Sequence, residues 1–418
     1  MKPTIQEDGM HMRSRYPAPM ASGAGGGAGG GAGGGAGGGA GGGAGGGAGG
    51  GAGGGAGGGA AGAGAAPATM LDAFSNPVIV TAICESREGI VDPLDNSGYA
   101  ARTPFGFADP QNAMRWDPWV RGYLLQLELL KGVTFRADPQ NEIVSLFVDG
   151  QEMFGLKRPS PATFQKQIAD VLSFAALRED RISEILAQVD GQWPFWGALL
   201  PVRLEKLKKV QEIVTAVTQF AVFVEMHFKQ EFACARPSEW SPQVQPMIST
   251  PGHGTFPMGH ATQVFAVAVV LAELVREACI DSPVADPFPD NLARQMRALA
   301  WRISENRIVA GVHFPVDLYG GTVLGISLGR CAVAACRGGK PEPILGQAFD
   351  LDSDPGTDAA SWMRDWMMLI GQAPTATKQA ASSTKPAVAS VETALTLTWQ
   401  RAVGQLKAGL GLAPDLGA

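Results

Sequence analysis

The sequence predicts an all-α protein, and two kinds of observation support this. Helix starts are marked by an acceptor side chain followed by proline, as in Asp117-Pro118 and Ser160-Pro161, because the acceptor caps the helix and proline fits its first position. Apolar residues then recur at helical spacing, whereas the apolar–polar alternation of half-buried strands is scarce. We therefore expect a helical bundle around one large core.

These signals predict the helices in chain order. Gly132 ends the first helix, the third breaks before Pro237, and Pro315 separates two later ones. We also expect a short packed helix near Trp362. Apolar residues at helical spacing over 395–410 predict a final helix that docks on the core or on a second subunit. Before this final helix, the helices in the main part of the chain are predicted at 119–131, 161–189, 203–232, 261–280, 291–312 and 316–335.

Composition divides the chain into three parts. Residues 1–69 are dominated by a Gly/Ala tract, and we expect a disordered tail because so much glycine cannot offset the entropy lost on ordering. Residues 70–346 can bury a single large core, with an irregular entry segment over 70–116 packed on it. Residues 347–418 are predicted to form a C-terminal extension, with a linker at 375–390 before the final helix.

Charge and composition argue against several classes of function. The net charge is −6 and no long basic run is present, so we expect no nucleic-acid partner. No uncharged apolar run reaches the ~18 residues that span a bilayer, and residues 1–20 lack the apolar segment of a secretion signal. We therefore expect a soluble, cytoplasmic protein with no membrane partner. The five cysteines are scattered, and we interpret them as reduced core residues.

The chain is organised around the stretch from Thr250 to Gln263. Its prolines and glycines predict a tight loop, and the apolar run that follows predicts a helix start. Backbone N–H groups at such a start lack partners and attract an anion. His260 falls in the first helical turn, and His253 lies just upstream. We infer an oxyanion site with an acid/base histidine.

Basic, imidazole and carboxylate side chains flank this stretch. Lys229 and Arg236 are seven residues apart, about two helical turns, so both could lie on one helix face. His313 and Asp317 are four residues apart and can touch if the turn across Pro315 is helical. Taken singly, each pair is explained as well by a solvated salt-bridge face or by a packed helix end. Only their joint order along the chain points to a site.

Three short blocks occur in a fixed order along the chain. Together they resemble the signature shared by vanadium-dependent haloperoxidases and the acid phosphatases of the PAP2 type, over roughly residues 115–335. The resemblance implies that the catalytic domain is a helical bundle of the PAP2/haloperoxidase type. The blocks are Lys229-x6-Arg236-Pro237, Pro257-x-Gly259-His260 and Arg307-x5-His313-x3-Asp317.

The resemblance implies a cage for vanadate or, in a phosphatase, for phosphate. Both vanadate and a phosphoryl group in transfer are trigonal-bipyramidal oxyanions, so one cage serves either. His313 would bind the central atom, as a metal ligand with vanadate or as a nucleophile with phosphate, and Asp317 would orient its imidazole. His260 would be the acid/base group. The oxygens would be bound by the side chains of Lys229, Arg236 and Arg307 and by the backbone N–H of Gly259.

Two positions depart from the family pattern. Met258 stands where the family carries serine, so one hydroxyl donor to the oxyanion is missing. A neutral hydrogen bond contributes about 1 kcal/mol, and we therefore expect a weaker site rather than none. Asn306 stands before Arg307, where many phosphatases of this type carry serine.

The block from His253 to Gln263 favours the haloperoxidase branch, since it resembles the His-x4-Ser-Gly-His-Ala-Thr-Gln of algal bromoperoxidases. We therefore predict a vanadate-dependent haloperoxidase that oxidises bromide or iodide with hydrogen peroxide, with His253 tuning the reactivity toward halide and peroxide. An acid phosphatase with a phosphohistidine at His313 is the alternative, and a non-catalytic oxyanion-binding protein is a third. A homo-oligomer is compatible with the resemblance.

Overall fold

A computed structural model describes residues 77–90, 105–280, 288–341, 343, 348–349, 351 and 392–412. The Gly/Ala tract, the short helix expected near Trp362 and the linker at 375–390 lie outside the described residues. Within the described residues, the predicted all-α class is confirmed. The helices are α1 Pro77–Ile90, α2 Pro118–Leu129, α3 Pro161–Phe174, α4 Arg178–Asp190, α5 Trp193–Leu199, α6 Lys208–Phe232, α7 Pro237–Trp240, α8 Gly259–Ala278, α9 Phe288–Val309, α10 Pro315–Cys336 and α11 Ala394–Gly409.

The proline signals mark helix starts correctly. α2, α3, α7 and α10 all have proline in their first turn. At α3 the Ser160 hydroxyl accepts a hydrogen bond from the Thr163 N–H, so the predicted cap is present. At α2, by contrast, the Asp117 side chain makes no capping hydrogen bond.

The helix predicted over 161–189 is broken in two. α3 ends at Phe174, a 3₁₀ turn covers Ala175–Leu177, and α4 starts at Arg178. The guanidinium of Arg178 donates to three backbone carbonyls from distant parts of the chain, and this anchors the start of α4. The acceptors are Val244 O at 2.9 Å, Gln245 O at 2.9 Å and Val309 O at 3.0 Å.

A small sheet between α2 and α3 escaped the sequence prediction. β2 has three consecutive buried residues and β3 has four, so buried and exposed positions do not alternate along either strand. A hairpin signal was nevertheless present, because Asp149 and Gly150 join the two strands with φ of 49° and 81°. The strands are β1 Val133–Asp138, β2 Ile143–Val148 and β3 Gln151–Lys157, antiparallel in chain order, and β4 Ala348–Phe349, which pairs with β3 in parallel.

Part of the entry segment differs from the expectation of an irregular chain packed on the core, although Ala113 near its end is buried in the core. Residues 77–90 form α1, and every position of α1 whose burial is described is exposed. Cys84 lies on this helix and is exposed, which corrects its interpretation as a core residue. Cys234, Cys331 and Cys336 are buried as expected, and none of the five cysteines forms a disulfide.

α8 is the central helix of the bundle. Its residues from Gly259 to Leu271 are all buried, and it packs against α6, α9 and α10. Three glycines one turn apart on α10 form a seam against it. A Cβ at Gly321 would lie 2.4 Å from Met258 O, and one at Gly325 would lie 2.4 Å from Thr262 O. Later residues of α10 thus meet later residues of α8, so the two helices run parallel and begin at the same end of the bundle.

α11 is present where the C-terminal apolar stripe predicts a helix, and it packs on the chain's own core. Its main contacts are with α6 and α8. The Trp399 Nε1–H donates to the Glu277 carboxylate at 3.0 Å, and the Leu395 N–H donates to the Glu128 carboxylate at 2.8 Å. These contacts join the two ends of the helical region.

Among the described residues, one helix is long and apolar enough to cross a membrane, namely α10. Within its most apolar window, 78% of the residues are buried inside the fold. The central helices of water-soluble proteins share this property, so α10 is weak evidence for a membrane span.

Candidate active site

The site lies where four helix ends meet. α6 and α9 end there with Lys229 and Arg307 in their last turns, while α8 and α10 begin there with His260 and Asp317 in their first turns. All four side chains are buried. The backbone N–H of Met258 donates to Asp317 O at 2.9 Å and ties the starts of α8 and α10 together.

Lys229 and Arg236 reach the site from different elements, which corrects the expectation of a shared helix face. α6 ends at Phe232, and Ala233 adopts left-handed backbone angles with φ of 49°. Arg236 then precedes the first residue of α7, Pro237. Both basic side chains are only 2% exposed, so the explanation as a solvated salt-bridge face is excluded.

The Lys229 ammonium pins the loop that leads into α8. Its Nζ donates to Gly254 O at 3.1 Å, Thr255 O at 3.2 Å and Pro257 O at 2.6 Å. An ammonium has three donors, and all three are used here. Burial and, after it, the neighbouring charge of Arg236 lower the pKa of Lys229 to about 7.

Arg236 joins the loop before α8 to the loop before α10. Its Nε donates to His253 O at 3.0 Å and its Nη1 donates to Val312 O at 2.8 Å. Nη1 also lies 3.0 Å from His313 Nε2, and Nη2 lies 3.1 Å from His253 Nδ1. Burial lowers the pKa of Arg236 to about 10, so the guanidinium stays charged at neutral pH. His253 therefore lies beside the predicted cage.

The contacts of His313 fix its tautomer. Its Nδ1 lies 3.1 Å from Asp317 Oδ2, so the predicted contact across the α10 start is present. Burial raises the pKa of Asp317 to about 6, which leaves the carboxylate ionised at neutral pH and able only to accept. Nδ1 must then carry the proton, and the lone pair of Nε2 faces Arg236. Burial, followed by the charges of Arg236 and Lys229, holds the pKa of His313 well below its usual value, so the ring is neutral.

Thr255 belongs to this arrangement and was missed by the sequence analysis. Its Oγ1 donates to Asp317 Oδ2 at 2.5 Å and lies 3.2 Å from His313 Nδ1. The Phe314 N–H donates to the same carboxylate oxygen at 2.7 Å. Three donors thus converge on Oδ2 and fix both the carboxylate and the imidazole. No spacing rule marks a single threonine in a loop, so the sequence held no signal for it.

A second polar group forms around Gln188 on α4. The Arg307 Nη2 donates to Ile185 O at 2.9 Å and to Gln188 Oε1 at 3.4 Å. Arg307 is 1% exposed, and within the described part of the chain its Nε and Nη1 have no hydrogen-bond partner. Burial lowers its pKa to about 10, so it remains a cation. Two donor nitrogens of a buried cation are therefore available to an anion.

His260 is bound to the same segment of α4. Its Nε2 lies 3.3 Å from Gln188 O, and a carbonyl can only accept, so Nε2 carries the proton and Nδ1 has the lone pair. Burial and then the charge of Arg307 lower the pKa of His260 to about 3, so the ring is neutral. A bound anion would oppose the second effect and favour protonation at Nδ1.

Asn306, which stands where many PAP2-type phosphatases carry serine, has a structural role. Its Nδ2 donates to Gln188 Oε1 at 2.9 Å and to Glu184 Oε2 at 2.9 Å. Asn306 thereby orients the amide that contacts Arg307. Gln188 lies far from all three sequence blocks in the chain, which is why its part in the site was missed.

Met258 and Gly259 form the start of α8. Met258 is fully buried and provides no side-chain hydrogen bond to the helix end. A Cβ at Gly259 would lie 2.6 Å from Glu225 Oε1, so a larger residue here would displace the Glu225 carboxylate. The N–H groups of the first helical turn have no intrahelical acceptor and are suited to an oxyanion.

Residues 212–337 match the family model described as the PAP2 superfamily. This chain carries a PAP2 superfamily domain. No curated protein is significantly similar to the chain. The PAP2 domain contains all three sequence blocks, while Gln188 contributes from outside it. The superfamily includes phosphatases and haloperoxidases, and its members are mostly enzymes.

The donor set of the PAP2 domain fits a tetrahedral oxyanion better than a bare metal ion. Among the described residues, no group of three or more His, Cys, Asp or Glu side chains could hold a metal. The site instead supplies the unpartnered donors of Arg307, helix-start N–H groups and the lone-pair nitrogens of His313 and His260. A vanadate bound here would have His313 as its nitrogen ligand and would meet the donor groups through its oxygens.

Met258→Ser should tighten oxyanion binding about fivefold, because it restores a hydroxyl donor worth about 1 kcal/mol. It should also lower stability by about 1–4 kcal/mol, because the loss of the buried Met258 side chain outweighs the gain from a serine cap. Isothermal titration with phosphate and chemical denaturation measure the two effects. Met258→Ala leaves a similar cavity without the hydroxyl, and equal phosphate affinity of the two variants would contradict the prediction.

Proposed function

We propose that the PAP2 domain of this chain is a vanadate-dependent haloperoxidase that oxidises bromide or iodide with hydrogen peroxide. The observation that carries the oxyanion site is Arg307, a cation 1% exposed whose Nε and Nη1 lack a partner among the described residues. Leaving such donors unsatisfied in the interior is unfavourable, and an oxyanion satisfies them. Bound vanadate supplies Lewis-acid activation of peroxide.

The chain's own residues bind the oxyanion and move protons. The contact of His313 Nδ1 with Asp317 at 3.1 Å leaves the lone pair on Nε2, which accepts from Arg236 Nη1 at 3.0 Å and exchanges this partner when the oxyanion binds. Arg307 and the Gly259 N–H donate to the oxygens. His260 has a lone pair on Nδ1, so it accepts a proton from peroxide and returns it to the departing oxygen. Burial of all these groups excludes bulk water and strengthens each charged contact.

His253 favours the haloperoxidase branch of this proposal. It lies beside Arg236 at 3.1 Å, so its imidazole borders the cage rather than standing in an exposed loop. An imidazole there can donate to bound peroxide or, when protonated, add positive charge next to a halide. Peroxide and halide are the partners that the proposal requires, and we propose a soluble, cytoplasmic protein that can form homo-oligomers.

An acid phosphatase is the second candidate, and the tautomer of His313 supports it. Nε2 can attack phosphorus, so that the N–P bond forms as the ester P–O bond breaks, while protonated His260 gives its proton to the leaving oxygen. Water then hydrolyses the phosphohistidine. A non-catalytic oxyanion-binding protein would need neither a nucleophilic imidazole nitrogen nor an acid/base histidine.

One experiment separates the two activities. The purified chain is loaded with orthovanadate, and peroxide-dependent bromination is measured; the vanadate-free chain is assayed for phosphate-ester hydrolysis. Bromination that requires vanadate supports the haloperoxidase proposal. Ester hydrolysis without bromination assigns the chain to the phosphatases, and the absence of both leaves only an oxyanion-binding protein.

His253→Phe should change the halide preference. The wild type is expected to oxidise bromide and iodide with little chlorination, because chloride is harder to oxidise. The variant should alter the bromide-to-chloride ratio, because a phenyl ring makes no hydrogen bond to bound peroxide. His227→Phe is the matched control, because the His227 ring stacks on Phe135 with ring centroids 3.9 Å apart. Equal efficiency with both halides, unaltered by His253→Phe, would remove His253 from the site.

A further inference from the structure

Glu225 is a buried acid behind the cage that the proposed reaction does not use. It lies on α6, one turn before Lys229, and is 0% exposed. Its Oε1 accepts a hydrogen bond from Gln263 Nε2 at 3.1 Å, while its Oε2 has no hydrogen bond within the described residues. Its carboxylate also lies against Gly259, the first residue of α8, where an added Cβ would be 2.6 Å from Glu225 Oε1. An anionic group thus lies directly behind the N–H donors of the cage.

The buried charges at the site do not balance for a dianion. The cations Lys229, Arg236 and Arg307 face the carboxylates Glu225 and Asp317, all at most 2% exposed. Fully ionised, this set carries one net positive charge, which a monoanion neutralises. A dianion would leave one net negative charge in the interior, which is unfavourable. Uptake of a single proton by a group at the site removes that imbalance.

Glu225 is the acid best placed to take the proton. Each of the two acids has one oxygen without a partner among the described residues, but Glu225 accepts a single hydrogen bond, from Gln263, whereas Asp317 accepts from Thr255, Phe314 and His313 and is held ionised. Burial raises the pKa of Glu225 to about 7, opposed by the charges of Lys229 and Arg236.

The other titratable groups around these cations are known from their contacts. The charge of Asp317, on α10, raises the pKa of Lys229. The charges of Lys229 and Arg236 lower the pKa of His260, on α8. A nearby dianion favours the charged form of Lys229 and the neutral form of Glu225. His260 and Lys229 are the competing proton acceptors, and a variant at Glu225 separates Glu225 from both of them.

We propose that Glu225 takes up one proton from solvent when a dianionic oxyanion binds, and so determines the charge of the oxyanion that the cage accepts. The inference rests on the proposed function only in requiring that the cage binds an oxyanion. Below neutral pH Glu225 is already protonated, and dianions bind well. As pH rises through neutrality Glu225 ionises, so the affinity for a dianion falls, by up to about tenfold per pH unit.

Sulfate is the probe, because it remains a dianion between about pH 6 and 9, unlike phosphate and vanadate. Isothermal titration in two buffers of different ionisation enthalpy counts the protons taken up. The wild type should take up as much as about one proton per sulfate above neutrality. Glu225→Gln retains an acceptor for Gln263, and its sulfate affinity should stay nearly constant with pH. Glu231→Gln removes the same charge from the exposed face of α6 and should behave as the wild type.

Each outcome decides a different point. Equal proton uptake by the wild type and Glu225→Gln would overturn the proposal and assign the proton to His260 or Lys229, with the oxyanion site intact. No sulfate binding by the wild type would overturn both the inference and the oxyanion site. If Glu225→Gln does not fold, Gln263→Leu replaces it. Loss of this donor disfavours ionised Glu225, so the fall in affinity should move to higher pH, and an unmoved profile would overturn the proposal.

Discussion

His313→Ala should abolish both peroxide-dependent halide oxidation and phosphate-ester hydrolysis, with a loss of at least about 10³-fold in turnover. His313 is the residue whose Nε2 lone pair is directed at the cage, because Asp317 binds the opposite nitrogen at 3.1 Å. Alanine offers no atom that can bind vanadium or attack phosphorus. Turnover is measured with each substrate over a range of oxyanion concentrations, so that weak binding is separated from lost chemistry.

His227→Ala is the control for this variant. Its ring stacks on Phe135 with centroids 3.9 Å apart, and it lies outside the cage. The control should retain wild-type turnover. Turnover of His313→Ala within about tenfold of the wild type would show that His313 takes no direct part in either reaction.

Gly325→Ala should lower the free energy of unfolding by about 2 kcal/mol or more. The added Cβ would lie 2.4 Å from Thr262 O and 3.0 Å from Phe265 Cβ. The first of these atoms belongs to the backbone of α8 and cannot rotate away, so the two helices must separate. The loss should exceed the gain of about 1 kcal/mol that alanine brings to a helix. Chemical denaturation measures the difference.

Gly404→Ala provides the matched control on α11. No heavy atom lies within 4 Å of the position that its Cβ would occupy. The substitution should therefore raise the free energy of unfolding by about 0.5–1 kcal/mol through helix propensity alone. Similar stability changes in the two variants would show that α8 and α10 are not in backbone contact.

The helical class and most helix positions follow from the sequence because their causes are local. A capping residue, a proline and a periodic stripe act within a few residues of one another, as Ser160 and Thr163 do. The sheet was missed because burial on both faces of β2 and β3 removes the alternation that marks a strand. The sequence did not show whether α11 packs on its own chain or on a second subunit. That choice depends on contacts between distant residues, such as that of Trp399 with Glu277.

At the site, the sequence blocks supplied the charged residues but not the groups that orient them. The shared face predicted for Lys229 and Arg236 was wrong because the left-handed turn at Ala233 ends α6 between them. Gln188 was missed because it contacts Arg307 across 119 residues of chain. Neutral residues that act only through such distant contacts leave no spacing pattern in a sequence.

The glycine seam of α10 has a consequence for how the site responds to change elsewhere. Backbone carbonyls of Met258 and Thr262 lie closest to Gly321 and Gly325, so the contact there is made by atoms that cannot repack. The separation of the two histidine-bearing helix starts is consequently set by the thickness of the polypeptide backbone itself. Substitutions in other parts of the core should therefore lower the melting temperature well before they alter the spacing of His260 and His313. Activity per folded molecule should stay constant until the molecule unfolds.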